Sequence, residues 1–323
     1  MTVSNVINNN HSRVSPGTEK RVREIMAKHN YVPSMVARSL ISKSSRIIAV
    51  LLPIWYASSA SMLRDPYAGQ LVGHIEELLR EKEYYVMVCS FEQVSQVLKV
   101  QQTWHIDGMI QIMPHEDAVT RELIQQSRTP LVICDRHFDD LQMLSVCLDD
   151  HKGGYLATKY LLEQGHRDIG FAAPAVFESA VIHARYMGYL DALHEYALKE
   201  NSDWVFNGTI HQEGGEEVAR RICSMQKRPT AMLATEDLIA CGIIKGCQEC
   251  GLSIPQDLSV IGFDDSMPSR LITPALTTVA QDVHAKAKTA VDMLMHAISD
   301  PDFRNQHTVL DVSLVTRQSV RPL

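Results

Sequence analysis

From Ser45 onward, apolar runs of strand length alternate with segments whose apolar residues recur at helical spacing. Ile47-Ile48-Ala49-Val50-Leu51-Leu52, ended by Pro53, is continuous enough to be a strand buried on both faces. Leu71, Val72, Ile75, Leu78 and Leu79 then fall on one face of a helix. The alternation predicts further strands near Tyr85–Cys89, Gly108–Ile112, Leu131–Cys134, Ile169–Ala172, Ala231–Ala234 and Val260–Phe263, with helices near 92–104, 116–127, 151–164, 179–198, 212–226 and 236–250. Repeated β-α units imply parallel sheets covered by helices on both faces. They are too many for one doubly wound sheet, so the reading is an α/β chain of two similar lobes with a change near Asp149-Asp150. A last helix at 282–299 and a long β-like run from Val309 to Val315 cannot both follow one lobe's order. The chain is therefore expected to cross between lobes more than once, with 46–150 and 282–306 in the first lobe and 151–281 and 307–323 in the second.

Residues 1–45 break this pattern, with many polar residues and no strand runs. Ser15-Pro16-Gly17-Thr18-Glu19 opens a helix, Ser15 as its N-cap and Pro16 at its first position. Val22, Ile25 and Met26 form a short apolar stripe, Asn30-Tyr31-Val32-Pro33 stops the helix, and Val36-Ala37-Arg38-Ser39-Leu40 is a weak second one. Such a head has little core of its own and should order against a partner. Net charge is -7 over 323 residues, yet the first 46 carry eight Lys and Arg against two Glu, so a +6 head sits on a body of -13. That asymmetry points to a polyanion such as DNA meeting the head alone; a solvated basic helix is the competing reading. With 45% hydrophobic and 21% charged residues the body can bury a sizeable core. No run approaches 18 apolar residues and the N-terminus lacks the layout of a signal peptide, so a soluble, cytoplasmic protein without membrane contact is expected. Seven cysteines, an odd and scattered set, are expected to be reduced and mostly buried.

The ordered set of motifs resembles the LacI/GalR family of bacterial transcription regulators over nearly the whole chain. Thr2-Val3-Ser4-Asn5-Val6-Ile7-Asn8 is similar to the family's recognition helix, Val14-Ser15 to Tyr31-Val32-Pro33 to its third helix, and Ala37-Arg38-Ser39-Leu40 to its hinge helix. Gly165-His166-Arg167, Arg185-Tyr186-Met187-Gly188-Tyr189, Pro229-Thr230-Ala231, Val260-Ile261-Gly262-Phe263-Asp264-Asp265 and Leu276-Thr277-Thr278-Val279 follow in the family's order and spacing. The resemblance implies a helix-turn-helix whose short polar side chains reach bases and phosphates in the major groove. It makes Thr2, Ser4, Asn5, Asn8, Ser15, Tyr31, Ala37 and Leu40 the DNA-contacting set, Leu40 as a minor-groove wedge with ordinary core as the alternative. Family members usually carry an arginine or equivalent where Asn5 stands, which leaves operator preference open. The chain starts at Met1 inside the second helix of the motif, so a displaced or trimmed start is expected. Without the first helix, Val3, Val6 and Ile7 are expected to lack a packing partner, leaving the head poorly ordered and its DNA affinity reduced.

The body resembles a periplasmic-binding-protein-like core, two lobes closing on a small ligand at the carboxyl ends of their strands. By that resemblance Tyr67, Asp135, Arg185, Ile210, Glu236 and Asp264 line the effector site. Arg185 and Asp264 suit bidentate bonds to sugar hydroxyls or to a carboxylate, with an inter-element salt bridge as the competing role. Glu236 stands where many sugar-responsive members have asparagine and Ile210 where some have an aromatic, which argues against a plain hexose. The stretch from Trp55 to Asp65 is longer than usual, which would alter the cleft mouth.

Other signals lead nowhere catalytic. Cys247-Gln248-Glu249-Cys250 lacks the second ligand pair of a metal site and reads as buried thiols on a helix ending at Gly251. Gly153-Gly154 lacks the lysine and hydroxyl of a phosphate loop, the fourteen histidines include no His-Glu-x-x-His, and no Gly-x-Ser-x-Gly is present. No cofactor, no metal and no enzymatic role are expected. The expected function is a sequence-specific repressor, homodimeric on a pseudo-palindromic operator and controlled by a sugar or related carbon-source metabolite. The alternative is a cytoplasmic small-ligand sensor or solute-binding protein that does not touch DNA.

Overall fold

The computed structural model describes residues 5–6, 11–31, 44–54, 62–114, 117–174, 176, 179–207 and 211–323. Its first lobe holds β1 (Ile47–Pro53), α2 (Pro66–Glu81), β2 (Tyr85–Phe91), α3 (Val94–Trp104), β3 (Gly108–Gln111), α4 (Asp117–Gln126), β4 (Leu131–Cys134) and β5 (Leu144–Leu148), after a head helix α1 (Pro16–Lys28). The second holds α5 (Asp150–Glu163), β6 (Ile169–Ala173), α6 (Ala180–Glu195), β7 (Val205–Asn207), α7 (His211–Ser224), β8 (Ala231–Ala234), α8 (Asp237–Glu249), β9 (Ser259–Asp264), α9 (Met267–Leu271) and β10 (Thr277–Gln281). The chain then returns to the first lobe with α10 (Val283–Ser299) and β11 (Gln306–Leu310) and ends in the second with β12 (Val312–Val315).

The two six-stranded sheets have matching orders, β11-β5-β4-β3-β1-β2 and β12-β10-β9-β8-β6-β7. The first is parallel throughout, Val50 lying beside Val88 on one side and Ile110 on the other. In the second only β12 runs antiparallel, against β10. Each sheet buries both faces, which is why its central strands read as unbroken apolar runs. In β1, Ile48, Val50 and Leu52 pack under α2 and α10, while Ala49 and Leu51 face α3 and α4. In β6, Phe171 and Ala173 face α5 and α6, and Ala172 faces α7 and α8.

The run from Val309 to Val315 is not one strand. It breaks at Asp311 into β11, paired with β5, and β12, paired with β10. The last crossing therefore lies at Asp311 and not at 306–307, and β11 belongs to the first lobe's sheet. Strands β5 and β7 were not expected: Ser145 interrupts the apolar run of the first, and the second has only three residues. Each crossing carries an aspartate. Asp149 caps α5 through Lys152 N at 2.9 Å, Asp282 caps α10 through Ala285 N at 2.8 Å, and Asp311 pairs with Lys152. Asp149 N also donates to Leu310 O at 3.0 Å, tying two crossings together.

Helices α5 and α6 approach closely because glycines line their seam. A Cβ at Gly188 would lie 2.0 Å from the His151 carbonyl oxygen, whereas one at exposed Gly73 would meet nothing within 4 Å. Gly188→Ala should lose about 1–3 kcal/mol in urea unfolding by overpacking. Gly73→Ala, mid-helix in open space, should gain about 0.5–1 kcal/mol. Equal stabilities for the two variants would show that the seam is loose.

Candidate functional site

The carboxyl ends of β4, β8 and β9 bring Asp135, Glu236 and Asp264 to the boundary between the lobes. Asp135 and Asp264 both take positive φ, 69° and 116°, where the chain turns off the strand and a short polar side chain is tolerated. Facing them from α6 is Arg185, whose Nε donates to Asp150 Oδ1 at 2.8 Å and whose Nη1 donates to Thr235 O at 2.6 Å. Both partners of this ion pair are nearly excluded from water, each side chain 7% exposed. The guanidinium also lies 3.5 Å from the ring centroid of Phe263, a cation–π contact. Gly153 and Gly154 make this possible: a Cβ at the first would lie 2.6 Å from the Phe263 ring and one at the second 1.9 Å from Arg185 O. The glycine pair thus serves close packing under the arginine. Arg185 fills the inter-element salt-bridge role, with Asp150 as the partner that the sequence did not single out.

On the first lobe's side, Tyr67 and Asp135 meet around Lys286 of α10. The Lys286 side chain is wholly buried, and its Nζ donates to Asp135, to Tyr67 Oη at 2.7 Å and to Gln281 Oε1 at 3.1 Å. Tyr67 Oη donates in turn to Asp135 Oδ2 at 3.0 Å. Burial and the adjacent Asp135 raise the Tyr67 pKa well above the phenol's ordinary value, so it stays protonated as a donor. Gln281 Nε2 donates to Asp264 Oδ1 at 2.6 Å. One hydrogen-bonded chain therefore runs Tyr67–Asp135–Lys286–Gln281–Asp264, from the first lobe through the crossing at 281–282 into the second. Lys286 and Gln281 were not legible as site residues, since a lysine among Ala285, Ala287 and Lys288 looks like any solvated helix position.

The cleft's charge is acidic. Glu236 is half-buried at the start of α8 and makes no capping bond. Burial, with Asp65 close by, pushes its pKa up to about 7. Asp264 is raised well above the carboxylate range by burial; Arg185 works against this, and Asp237, Asp65 and Glu236 reinforce it. Asp65, the N-cap of α2 accepting from Ala68 N at 2.9 Å, is raised by burial against the pull of that bond and of His211. It is a first-lobe carboxylate facing second-lobe ones. Neighbouring acids have other duties. Asp237 accepts from Ser266 N, Ser266 Oγ and Thr278 Oγ1, and Asp265 pairs with Arg270 and Arg317.

The head is described in part. Ser15 caps α1, accepting from Thr18 N at 3.3 Å, and Asn30 leaves the helix at φ 48° as a left-handed stop. No α1 residue is buried and Ile25 is half-exposed, consistent with a unit short of core. Asn5 lies in a helical turn and Tyr31 is exposed, as are Arg13, Lys20, Arg21 and Lys28. Val6, expected to lack a packing partner, is instead covered, with 2% exposure. Thr2, Ser4, Asn8, Ala37, Leu40 and the effector-site candidate Ile210 lie outside the described residues, as do Val3, Ile7 and residues 55–61 of the long first-lobe stretch. Where the head joins the first lobe, Asp107 at the foot of β3 accepts from Ser44 Oγ, from Ser45 N at 2.8 Å and Oγ at 3.1 Å, and from Arg46 N at 3.1 Å.

Among the described residues no group of His, Cys, Asp or Glu is arranged to hold a metal ion, and no helix is long and apolar enough to cross a membrane. The profile of the periplasmic binding protein-like domain matches residues 158–320, and that of the bacterial regulatory proteins of the lacI family matches residues 1–34. The chain is 32% identical over 332 residues to the HTH-type transcriptional repressor PurR of Pasteurella multocida, covering 99% of this chain and 94% of that protein. Its fold is similar to that of the lac repressor dimer bound to operator and the anti-inducer ONPF, with a TM-score of 0.86, 26% identity and coverage of 99% and 94%. It is also similar to a LacI family transcriptional regulator from Enterococcus faecium with bound ribose, with a TM-score of 0.74, 26% identity and coverage of 86% and 99%.

Lys286→Met should destabilise the fold by about 3–5 kcal/mol, because Asp135 is left buried without its cation. Adding Asp135→Asn should restore much of the loss in a double-mutant cycle by urea unfolding. Glu236 gives a pH test. Its folded pKa of about 7 lies above its ordinary 4.5, so its ionisation opposes folding in full above pH 7. That penalty disappears as pH falls from 7 to below 4.5. Relative to the wild type, Glu236→Gln should therefore be more stable at pH 8, with the advantage shrinking towards pH 5. A pH-independent difference would show that Glu236 ionises normally.

Proposed function

The chain belongs to the lacI family of bacterial regulatory proteins and is a DNA-binding transcriptional repressor, and we propose that a small polyhydroxylated effector between its lobes sets its operator affinity. The observation that carries this reading is the convergence of Arg185, Glu236 and Asp264 from the second lobe with Asp65 from the first. They meet at the carboxyl ends of parallel strands, where ligands of such folds bind. Arg185 is already balanced by Asp150. The remaining carboxyl groups, accepting when ionised and donating when protonated, suit vicinal hydroxyls better than a further acid such as a carboxylate or phosphate. Of the two ligand classes that an Arg and an Asp admit, the hydroxyl-rich one is therefore favoured, and the ribose bound by the Enterococcus faecium regulator is of that class. Tyr67 and Asp135 act one step back, through Lys286 and Gln281, in holding Asp264.

The head supplies the DNA contacts, with Asn5 on its helical turn, Ser15 and Tyr31 beside the exposed cations of α1, and Thr2, Ser4, Asn8, Ala37 and Leu40 completing the assigned set. Two copies of the chain read the two halves of an operator. Exposed apolar side chains that suit such a dimer lie on edge strand β2, where Tyr85 is 65% exposed, and on α9, where Leu271 is 73% exposed. An effector that draws Asp65 toward Glu236 and Asp264 changes the angle between the lobes. The first lobe passes that change to Ser44–Arg46 through Asp107.

The test is anisotropy titration of a duplex selected by the intact protein from a random pool, with and without a panel of sugars and nucleosides. Operator affinity should fall steeply with salt. The active effector should change operator affinity, and operator should change effector affinity by the same factor. Effector affinity that is identical with and without operator would refute the allosteric reading, and salt-independent binding the DNA one. Asp264→Asn should weaken effector binding about 10- to 100-fold, matching about 1.5–3 kcal/mol for bonds to a charged acceptor, with salt-dependent operator binding retained.

A further inference from the structure

Helices α7 and α8 run side by side from the cleft and touch along a stripe of small residues at four-residue intervals. A Cβ at Gly215 would lie 2.9 Å from Gly242 Cα, and one at Gly246 would lie 2.7 Å from Ala219 Cβ. Contacts 215–242 and 219–246 advance together by one turn, so the next pair along the seam is Cys223 with Cys250. The Cys223 thiol is in hydrogen-bonding reach of both Cys250 and Cys247. Cys250 is exposed, Cys223 half-buried and Cys247 buried, and all three are free. The Cys247-x-x-Cys250 pair was expected to be two buried thiols rather than half of a metal motif; Cys247 is buried, but Cys250, at the helix end, is exposed. The structure supplies a third thiol from the neighbouring helix, in an arrangement that does not hold a metal.

We propose that Cys223 and Cys250 are a reversible redox pair, in which a low-molecular-weight disulfide converts them into a cystine that staples the C-terminal ends of α7 and α8. Exposed Cys250 reacts first: its thiolate attacks one sulfur of the reagent RSSR, the S–S bond breaks, and one RS⁻ leaves and takes up a proton. The Cys223 thiolate then attacks Cys250 Sγ in the mixed disulfide and expels the second RS⁻, which is protonated in turn. Two protein thiols are oxidised, one RSSR is reduced to two RSH, and the protons lost by the protein end on the leaving groups. Exposure assigns the first attack to Cys250, since Cys223 is half-buried and Cys247 buried, and burial pushes Cys223 up to about 11 and Cys247 up to about 12. The α7–α8 unit presents His211 and Glu236 to the cleft at its other end, so the staple forms in the element that carries part of the effector site.

The experiment treats the full chain with oxidised glutathione, blocks remaining thiols with N-ethylmaleimide and maps the digest by mass spectrometry. A Cys223–Cys250 cross-linked peptide is expected, with the other five cysteines alkylated and the link reversed by dithiothreitol. Cys247→Ser should still form it. Cys223→Ser should stop at a glutathione adduct on Cys250. A Cys247–Cys250 link, a persistent Cys250 adduct in the wild-type chain, or no reaction would each overturn the proposal. Circular dichroism of the Cys247→Ser variant separates a lost link from a lost fold.

Discussion

An ammonium group with no access to water is the constraint around which the cleft is built. Moving a charge of that size out of water carries a penalty of several kcal/mol even in a relaxed protein, so Lys286 must be met by a carboxylate and further acceptors. Asp135, Tyr67 and Gln281 supply them, and they come from β4, α2 and the last residue of β10. Three elements distant in sequence are thereby fixed relative to α10. One of them, Gln281, sits on the strand that leaves the second lobe. The same residue holds Asp264, so the position of a cleft carboxylate depends on a cation buried in the other lobe.

Arg185 repeats that logic within the second lobe with a different consequence. It is buried as deeply as its partner Asp150, which stands one residue past the first crossing. For Asp150, burial outweighs the pull of Arg185 and its pKa is raised, whereas for Arg185 burial is outweighed by the attraction of Asp150 and Asp264 and its pKa is raised as well. A buried pair of this kind fixes orientation more than it adds stability. Here it aims a guanidinium along the cleft floor, over Phe263, beside carboxylates that have no cation of their own. In the proposed mechanism, lobe closure brings Asp65 toward Glu236 and Asp264, carboxyl groups whose ionisation burial already opposes, and the hydroxyl groups of a ligand supply bonds that offset that cost.

The architecture was legible wherever side-chain pattern alone decides structure. Strands such as β1 and β6, buried on both faces, announce themselves as apolar runs, and the cap Ser15 and the stop at Asn30 follow from local chemistry. The pattern failed where a polar side chain belongs to a network formed by distant residues. Ser145 bonds His137 and His307 from within β5, and its polarity hid that strand. Asp311 looked like one polar residue in a β-like run, yet it marks a passage between sheets. The cleft divides the same way. Arg185, Asp264 and Glu236 stand in recognisable motifs, whereas Asp150, Lys286 and Gln281 have no local signature and acquire meaning from partners on other elements, Arg185 for Asp150, Tyr67 and Asp135 for Lys286, and Asp264 for Gln281. The Gly153-Gly154 pair lacks the residues of a phosphate loop, and its steric reason needed the Arg185 backbone and the Phe263 ring.

The proposed communication with the head requires that the first lobe carry it as a rigid body, and the hydrogen bonds at the junction suit that requirement. Asp107 stands where the chain leaves α3 for β3, and both of its carboxylate oxygens accept bonds from the Ser44–Arg46 segment. Arg46, at φ 58°, is then held by the face of Tyr84 at 5.0 Å. A linker so anchored cannot swivel independently of β1 and β3, so any rotation of the first lobe reaches the residue at which the head begins. Among the described head residues Val6 is buried and none of α1 is. In the proposed mechanism the anchorage of Ser44–Arg46 is what lets a change of lobe angle at the cleft shift the spacing of two heads on DNA.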